Sequence, residues 1–169
     1  YTYDLKYGFR DYRGGGRASG RETLARVMAG AIAKKLLKVK VKTEIFGYTV
    51  QVGDIKAIKF NRSEIEKNEL RCADKDAAAK MLKFIEKIRF ASGDSIGAII
   101  EIIIKNPPKG LGEPVFDKLD AELSKALMSI GAIKGIEFGS GFASTNLSGS
   151  QNNDQIEIKK SKIHFLSNN

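Results

Sequence analysis

Residues 96–105 read Ile96-Gly97-Ala98-Ile99-Ile100-Glu101-Ile102-Ile103-Ile104-Lys105 and form the most apolar run of the chain. The run carries Glu101 and is about half as long as a segment that spans a bilayer. Its branched side chains favour a β-strand, and a strand with apolar residues in consecutive positions needs cover on both faces. The prolines that follow, Pro107 and Pro108, lack backbone donors and end the strand. We therefore predict a central, fully covered strand over residues 96–104.

The residues around this strand predict both helices and further strands. Apolar residues three and four apart predict helices over 20–38 and 75–91, and Pro114 fits the first turn of a third helix. Strands are predicted over 42–59, 132–138 and 156–166. The side chains predicted to face inward are Leu24, Val27, Met28, Ala31, Ile32 and Leu36 on the first helix, Met81, Leu82, Phe84, Ile85 and Ile88 on the second, and Phe116, Leu119, Leu123, Leu127 and Ile130 on the third. The pattern leaves open whether the strands run parallel or antiparallel.

The composition is that of an ordinary globular chain. With 42% apolar and 29% charged residues among 169, a disordered or fibrous chain is excluded and one domain is expected, without an internal repeat or linker. The single cysteine, Cys72, cannot form an internal disulfide, and no leading basic-then-apolar segment resembles a signal peptide. We expect a cytoplasmic protein. Because the chain opens on a strand-like Tyr1-Thr2-Tyr3-Asp4 and ends abruptly at Asn169, we also expect it to be the ordered part of something longer.

Positive charge is concentrated at the start of the chain. The net charge is +9, and residues 1–44 hold eleven Lys or Arg against four Asp or Glu, which gives this quarter +7. Such a field attracts polyanions or small phosphorylated ligands. For the lysines from Lys34 to Lys42 a simpler explanation is enough, because lysines at a helix end complement the helix dipole.

The arginines of this quarter surround a glycine-rich loop. Its residues are Tyr7-Gly8-Phe9-Arg10-Asp11-Tyr12-Arg13-Gly14-Gly15-Gly16-Arg17-Ala18-Ser19-Gly20-Arg21-Glu22-Thr23. Three consecutive glycines let backbone N–H groups approach a ligand closely, and Ser19 with Glu22 has the spacing of a capping box that begins a helix. Free N–H groups and a helix N-terminus beside Arg13, Arg17 and Arg21 predict a phosphate or carboxylate site.

Other interpretations of the loop stay open on these residues alone. A flexible loop before a capped helix explains the glycines without a ligand, and the spacing matches neither the Walker pattern nor the dinucleotide fingerprint. One Arg-Gly-Gly copy that enters a helix is not a low-complexity RNA-binding tract. No metal site is predicted. The one histidine, His164, lies in a predicted strand, and we expect its role to be structural.

Blocks spread over nearly the whole chain resemble the chorismate synthase family, in the family's order. They are Lys6 to Thr23, Ala29 to Lys35, Gly93 to Gly97, Gly110 to Leu119, Ala126 to Ile130, Lys134-Gly135, Gly139 to Phe142, Gly149-Ser150 and Asn153-Asp154. The resemblance implies an α+β fold with helices packed between antiparallel sheets, a β-α-β sandwich, in which residues 1–169 are the central part of a single domain. It also implies a homotetramer, with no nucleic-acid or membrane partner.

The chemistry implied by this resemblance is a lyase reaction of the shikimate pathway. Family members convert 5-enolpyruvylshikimate 3-phosphate to chorismate by 1,4-anti elimination of phosphate, with reduced FMN and no net redox change. The family is also associated with NADP, and whether this protein reduces its own flavin is left open. The substrate bears two carboxylates and a phosphate, and the flavin bears another phosphate. Arg suits such anions better than Lys, and fixed cationic donors stabilise the departing phosphate.

Residue by residue, the resemblance places flavin contacts at Arg17, Ala18, Ser19, Gly131 and Ala132. It places a substrate contact at Arg21. Ala18 stands where Ser is common, and Gly131 where Asn is common, so both contacts are expected through the main chain. No catalytic residue is assigned, because the family's two general-acid histidines precede the matched region, and we expect these residues alone to be inactive.

Three functions are therefore compared. The first is chorismate synthase, which the resemblance favours. The second is a flavin- or phosphate-binding module that has lost catalysis. The third is a basic nucleic-acid-binding domain, which only the charge supports.

Overall fold

The computed structural model describes residues 1–167 and contains helices and antiparallel sheets, which confirms the predicted α+β class. The helices are α1 (Thr2–Tyr7), α2 (Glu22–Val41), α3 (Lys75–Ser92), α4 (Leu119–Met128) and α5 (Gly149–Asn152). The strands are β1 (Glu44–Val52), β2 (Ile55–Lys56), β3 (Ala98–Lys105), β4 (Ile156–Lys159) and β5 (Lys162–Phe165). Short 3-10 turns cover Gly16–Ala18, Arg62–Lys67 and Gly141–Asn146.

The chain divides into two compact units. One consists of Tyr1–Arg26 and the residues from Lys109 onward, and the other of Val27–Pro108. Helix α2 begins in the first unit and continues into the second. The interpretation of residues 1–169 as part of one domain without an internal boundary stays a prediction.

The second unit is a three-stranded antiparallel sheet with one helix packed on its end. The strand order is β2-β1-β3, and β1 pairs with β3 from Glu44 opposite Lys105 to Val52 opposite Ala98, with a register shift between Thr49 and Gln51. Helix α3 packs against the short strand β2. The buried apolar cluster formed there consists of Val52, Cys72, Ala77, Ala78 and Met81. The predicted strands over 42–59 are confirmed by β1 and β2.

Helix α3 is the element that the sequence predicts best. Asp74 caps its N-terminus by accepting hydrogen bonds from the N–H groups of Asp76 and Ala77, and Gly93 ends it in the left-handed region at φ 66°. Met81 is fully buried, and Leu82, Phe84, Ile85 and Ile88 are half-buried, as the spacing predicts.

The prediction of a fully covered central strand over residues 96–104 is wrong. The strand forms as β3, but it lies at an edge of the sheet, where β1 is its one strand neighbour among the described residues. Ile100 is 61% exposed and Ile102 is 47% exposed. The exposure follows from the position of α3, which packs against β2 and Val52; among the described residues, no isoleucine of β3 belongs to this cluster.

Helix α2 forms as predicted, but its apolar stripe is not buried. It begins at Glu22 and continues to Val41, and none of its residues is buried. Met28 and Ile32, for example, are 61% and 72% exposed. The spacing correctly predicts a helix, whereas cover for the stripe depends on other elements. Within residues 1–167, no helix is long and apolar enough to cross a membrane.

In the first unit the third predicted helix begins later than predicted. Helix α4 starts at Leu119, because residues 113–117 form a turn closed by a hydrogen bond from the N–H of Glu113 to the carbonyl of Asp117. Pro114 lies in that turn, and Phe116 is 87% exposed. The chain folds back tightly here, since a Cβ on Gly112 would lie 2.6 Å from the backbone nitrogen of Leu119.

Two strand predictions in the first unit are also wrong. The strand-like opening at Tyr1–Asp4 belongs to helix α1, which Gly8 ends in the left-handed region by donating its N–H to the carbonyl of Asp4. The segment predicted as a strand over 132–138 is irregular, because α4 is followed by a turn in which Ala132 has φ 70° and, among the residues that the structure describes, no strand pairs with it.

The strand predicted over 156–166 is a hairpin. Strands β4 and β5 pair antiparallel, and the two residues between them, Lys160 and Ser161, both have positive φ, as two-residue hairpin turns with the native twist require. His164 is exposed on β5, opposite Glu157. It belongs to the hairpin surface.

Acid should weaken the second unit through Asp74. Backbone N–H groups of Lys59, Ala77, Ile58 and Asp76 hold the pKa of this carboxyl at about 2, below its usual 3.8. A carboxyl whose pKa is lower in the folded chain contributes stability above its unfolded pKa and loses it as the pH falls through the folded pKa. Denaturant titrations should therefore show falling stability from about pH 4 to about pH 2. Equal acid sensitivity of wild type and Asp74→Asn would contradict this expectation.

Candidate functional site

The first half of the glycine-rich loop is fixed by local ion pairs. The Nε of Arg10 lies 2.9 Å from the carboxylate of Asp4. Arg13 donates both its backbone N–H, at 2.9 Å, and its guanidinium, at 3.0 Å, to the carboxylate of Asp11. These two hydrogen bonds lower the pKa of Asp11. Arg13 is therefore already paired with an acid of the loop, so it is less available to bind an external anion than the sequence predicts.

The glycines of the loop leave backbone donors free. Gly16 adopts φ 52° at the start of the 3-10 turn, in which the N–H of Ala18 donates to the carbonyl of Gly15 at 2.9 Å. Within residues 1–167, nothing accepts a hydrogen bond from the N–H groups of Gly15 or Gly16. A Cβ on Gly15 would lie 3.3 Å from the backbone nitrogen of Ser19, so the chain passes close to itself. These donors fit an anion.

The capping box predicted between Ser19 and Glu22 does not form. The hydroxyl of Ser19 accepts a weak hydrogen bond from the N–H of Arg21 at 3.4 Å, and the carboxylate of Glu22 pairs with the guanidinium of Arg17 at 2.9 Å. The charged Arg17–Glu22 contact thus replaces the bond from Glu22 to the backbone. The Arg17 side chain is 87% exposed and can leave Glu22 for a ligand.

Arg21 differs from the other arginines of the loop. It lies immediately before α2 and is exposed, and among the residues that the structure describes its guanidinium has no acid or hydrogen-bond partner. A salt bridge to Glu22, the simplest alternative to a ligand role, is absent because Glu22 binds Arg17. Arg21 therefore offers a free, planar donor fork beside the free glycine N–H groups.

The second predicted flavin segment belongs to the same unit as the loop. Gly131 and Ala132 follow α4, and Ala132 stands at φ 70°, a strained conformation for a residue with a Cβ. The guanidinium of Arg26, on α2, donates to the hydroxyl of Ser129 at 2.6 Å and to its carbonyl at 3.2 Å. The N-terminal part of α2 and the end of α4 are thereby joined.

Arg26 and Ser129 were not among the residues predicted for the site. Arg26 continues the arginine series of the loop, and Ser129 stands at the end of a predicted helix, but nothing in the sequence indicates that they meet across more than a hundred positions. The donor set as a whole fits a phosphorylated cofactor such as FMN: free main-chain N–H groups, the exposed cations of Arg17 and Arg21, and the Ser19 hydroxyl.

Fold and site thus define an α+β protein with a cationic, glycine-rich loop suited to phosphate and carboxylate groups. The profile of the family described as chorismate synthase matches residues 1–169. This chain belongs to the chorismate synthase family.

Curated relatives and a solved structure agree with that assignment. The chain is 49% identical over 163 residues to chorismate synthase of Trichodesmium erythraeum, with 94% of this chain and 44% of the relative covered. It is 54% identical over 154 residues to that of Chloroflexus aggregans, with 91% and 42% covered. It is 51% identical over 173 residues to that of Methanosarcina barkeri, with 100% and 47% covered.

A chorismate synthase crystal structure superimposes with a TM-score of 0.85 at 30% identity, covering 99% of this chain and 55% of that one. The chain spans less than half the length of the curated relatives named above.

Proposed function

We propose that this chain supplies the anion-binding part of a chorismate synthase, a lyase that eliminates phosphate from 5-enolpyruvylshikimate 3-phosphate with reduced FMN as cofactor. The observation that carries the proposal is that the Arg21 guanidinium is unpaired among the described residues and follows, in the same loop, the free N–H groups of Gly15 and Gly16, in a chain of this family. An arginine kept without an acid partner in an acid-containing loop is suited to an anion supplied from outside.

Each part of the site has a distinct task. Arg17, Ala18 and Ser19 hold the flavin on one side through a cation, a main-chain group and a hydroxyl, and Gly131 and Ala132 hold it through the main chain. Arg21 orients the substrate by a two-point contact with one of its anionic groups. The chemistry that reduced FMN would supply when bound is electron density for the departure of phosphate, without net redox change. Once bound to the substrate, Arg21 also stabilises the negative charge that develops on the departing phosphate.

The wider properties that belong to this proposal are a homotetramer and a cytoplasmic location. Residues 1–169 as a separate polypeptide are proposed to be inactive, because the described residues contain one histidine, His164, and it lies on the exposed surface of the hairpin. Light scattering of a full-length family member that carries this sequence tests the assembly. Turnover measurements on the separate chain with reduced flavin test its inactivity.

Arg17→Ala tests the flavin site. Loss of one charged donor should weaken the binding of reduced FMN about tenfold or more, measured by anaerobic titration. Arg13→Ala is the matched control, because Arg13 is paired within the loop to Asp11, and it should leave the dissociation constant within about twofold.

Glu22→Gln should not weaken flavin binding, in contrast to Arg17→Ala. This change releases Arg17 from its acid partner, so flavin binding should be equal or tighter. An unchanged dissociation constant in Arg17→Ala removes Arg17 from the site, and weaker binding in Glu22→Gln contradicts the proposed competition between flavin and Glu22.

A further inference from the structure

The contact between Arg26 and Ser129 is unusual for a surface arginine. Arg26 has no carboxylate partner within residues 1–167, and both of its hydrogen bonds go to one neutral residue that lies 103 positions away. Exposed arginines commonly pair with an acid close in sequence, as Arg13 and Arg17 do in the loop before α2. The Arg26 contact instead joins α2 to the end of α4.

Ser129 is oriented to receive this contact. Its hydroxyl donates to the carbonyl of Ala126 at 2.6 Å, so its lone pairs are available to the guanidinium of Arg26. The second bond, to the Ser129 carbonyl, places a positive charge at the C-terminus of α4, where unpaired carbonyls make the helix end negative. Arg26 therefore caps α4 from another element.

This cap lies at the base of the segment that carries Gly131 and Ala132. After Ser129 the chain turns through hydrogen bonds from the N–H of Ile130 to the carbonyl of Leu127, at 3.0 Å, and from the N–H of Ile133 to the carbonyl of Ile130, at 3.4 Å. The strained Ala132 lies within this turn. A strained conformation persists when its surroundings fix it, and the Arg26 cap is a long-range bond at this position.

We infer that Arg26 is a positioning residue. It fastens the Ser129–Ala132 segment to the N-terminal part of α2 and so fixes the relative positions of the two flavin-contacting segments, Arg17–Ser19 and Gly131–Ala132, without touching the flavin. The consequence for flavin binding rests on the proposed function. The fastening itself does not, since it concerns contacts within the chain.

Hydrogen exchange of the flavin-free protein tests the fastening. In Arg26→Ala, the amides of Ile130 and Ile133 should exchange about fivefold faster, because their turn loses its anchor. The amide of Gly8, whose hydrogen bond to Asp4 involves neither residue, is the internal reference. Lys34→Ala, an exposed cation later on α2, is the matched control. Unchanged exchange at Ile130 and Ile133 overturns the inference.

Flavin affinity and a double substitution test the consequence. Arg26→Ala should weaken the binding of reduced FMN about fivefold. The dissociation constant of Arg26→Lys should lie between those of Arg26→Ala and wild type, since Lys keeps the charge but offers only one point of contact. Ser129→Ala should raise the dissociation constant by a smaller factor in the Arg26→Ala background than in the wild-type protein, because the two residues form one contact. Full additivity, or an unchanged dissociation constant despite faster exchange, contradicts the positioning role. If the unsubstituted protein binds no FMN, the proposed function fails, whereas the exchange result still decides the fastening.

Discussion

Arg21→Lys is expected to remove most turnover while leaving the fold and flavin binding intact. The experiment uses a chorismate synthase of full family length that carries this sequence. Lysine keeps the positive charge but replaces the planar fork by a single ammonium, so a two-point contact with a substrate carboxylate or phosphate is lost. By comparison with other fixed donors to developing charge, turnover should fall about a hundredfold.

Separate measurements distinguish this role from a structural one. The guanidinium of Arg21 has no partner among the described residues, so its replacement breaks no side-chain contact of the folded chain, and the melting temperature should not change. The flavin dissociation constant should stay within a few-fold of the wild-type value. Arg13→Lys, in the same loop but paired with Asp11, is the control for charge-preserving change. Wild-type turnover, or a fall in melting temperature large enough to explain the loss, refutes the assignment.

Asp74→Ala is expected to lower the free energy of unfolding of the second unit by about 3 kcal/mol. Asp74 is 5% exposed and accepts four backbone hydrogen bonds with its two oxygens. One oxygen caps α3, and the other holds the N–H groups of Ile58 and Lys59, in the loop after β2. Removing the carboxylate leaves donors unpaired in a partly buried place, which costs more than a lost surface contact.

Asp74→Asn separates the two tasks of this carboxylate. Asparagine caps helices as well as aspartate does, so the bonds to Asp76 and Ala77 survive. Its NH2 group, however, cannot accept hydrogen bonds from the N–H groups of Ile58 and Lys59, so the free energy of unfolding should still fall by about 2 kcal/mol. Asp76→Asn is the control, since Asp76 makes an exposed ion pair with Lys59, and it should cost less than about 1 kcal/mol. Chemical denaturation measures all three, and an Asp74→Asn variant as stable as wild type would show that the loop contacts contribute nothing.

Elements that depend on interactions over a few residues are predicted from the sequence, whereas elements that depend on competing or distant partners are not. Helix α3 is predicted within a few residues, because helix spacing acts over a few positions. The hairpin of β4 and β5 occupies the segment predicted as one strand over 156–166, and its turn at Lys160 and Ser161 is not predicted. The late start of α4 was missed, because the turn at 113–117 competes with the helix for Pro114. The capping box predicted between Ser19 and Glu22 does not form, because Glu22 has a stronger, charged partner in Arg17.

The sequence by itself determined the family, the glycine-arginine loop and the location of most helices and strands, since these depend on residue types in fixed local order. Only the tertiary structure decided which cations are free. Arg13 and Arg17 pair with acids, whereas Arg21 pairs with none among residues 1–167. The position of a charged residue in the sequence does not reveal which residue it pairs with. Tertiary structure also decided that β3 lies at an edge and that Arg26 reaches Ser129. Burial and long-range contacts depend on which elements pack together, and local patterns state only that an apolar face needs cover, not what covers it.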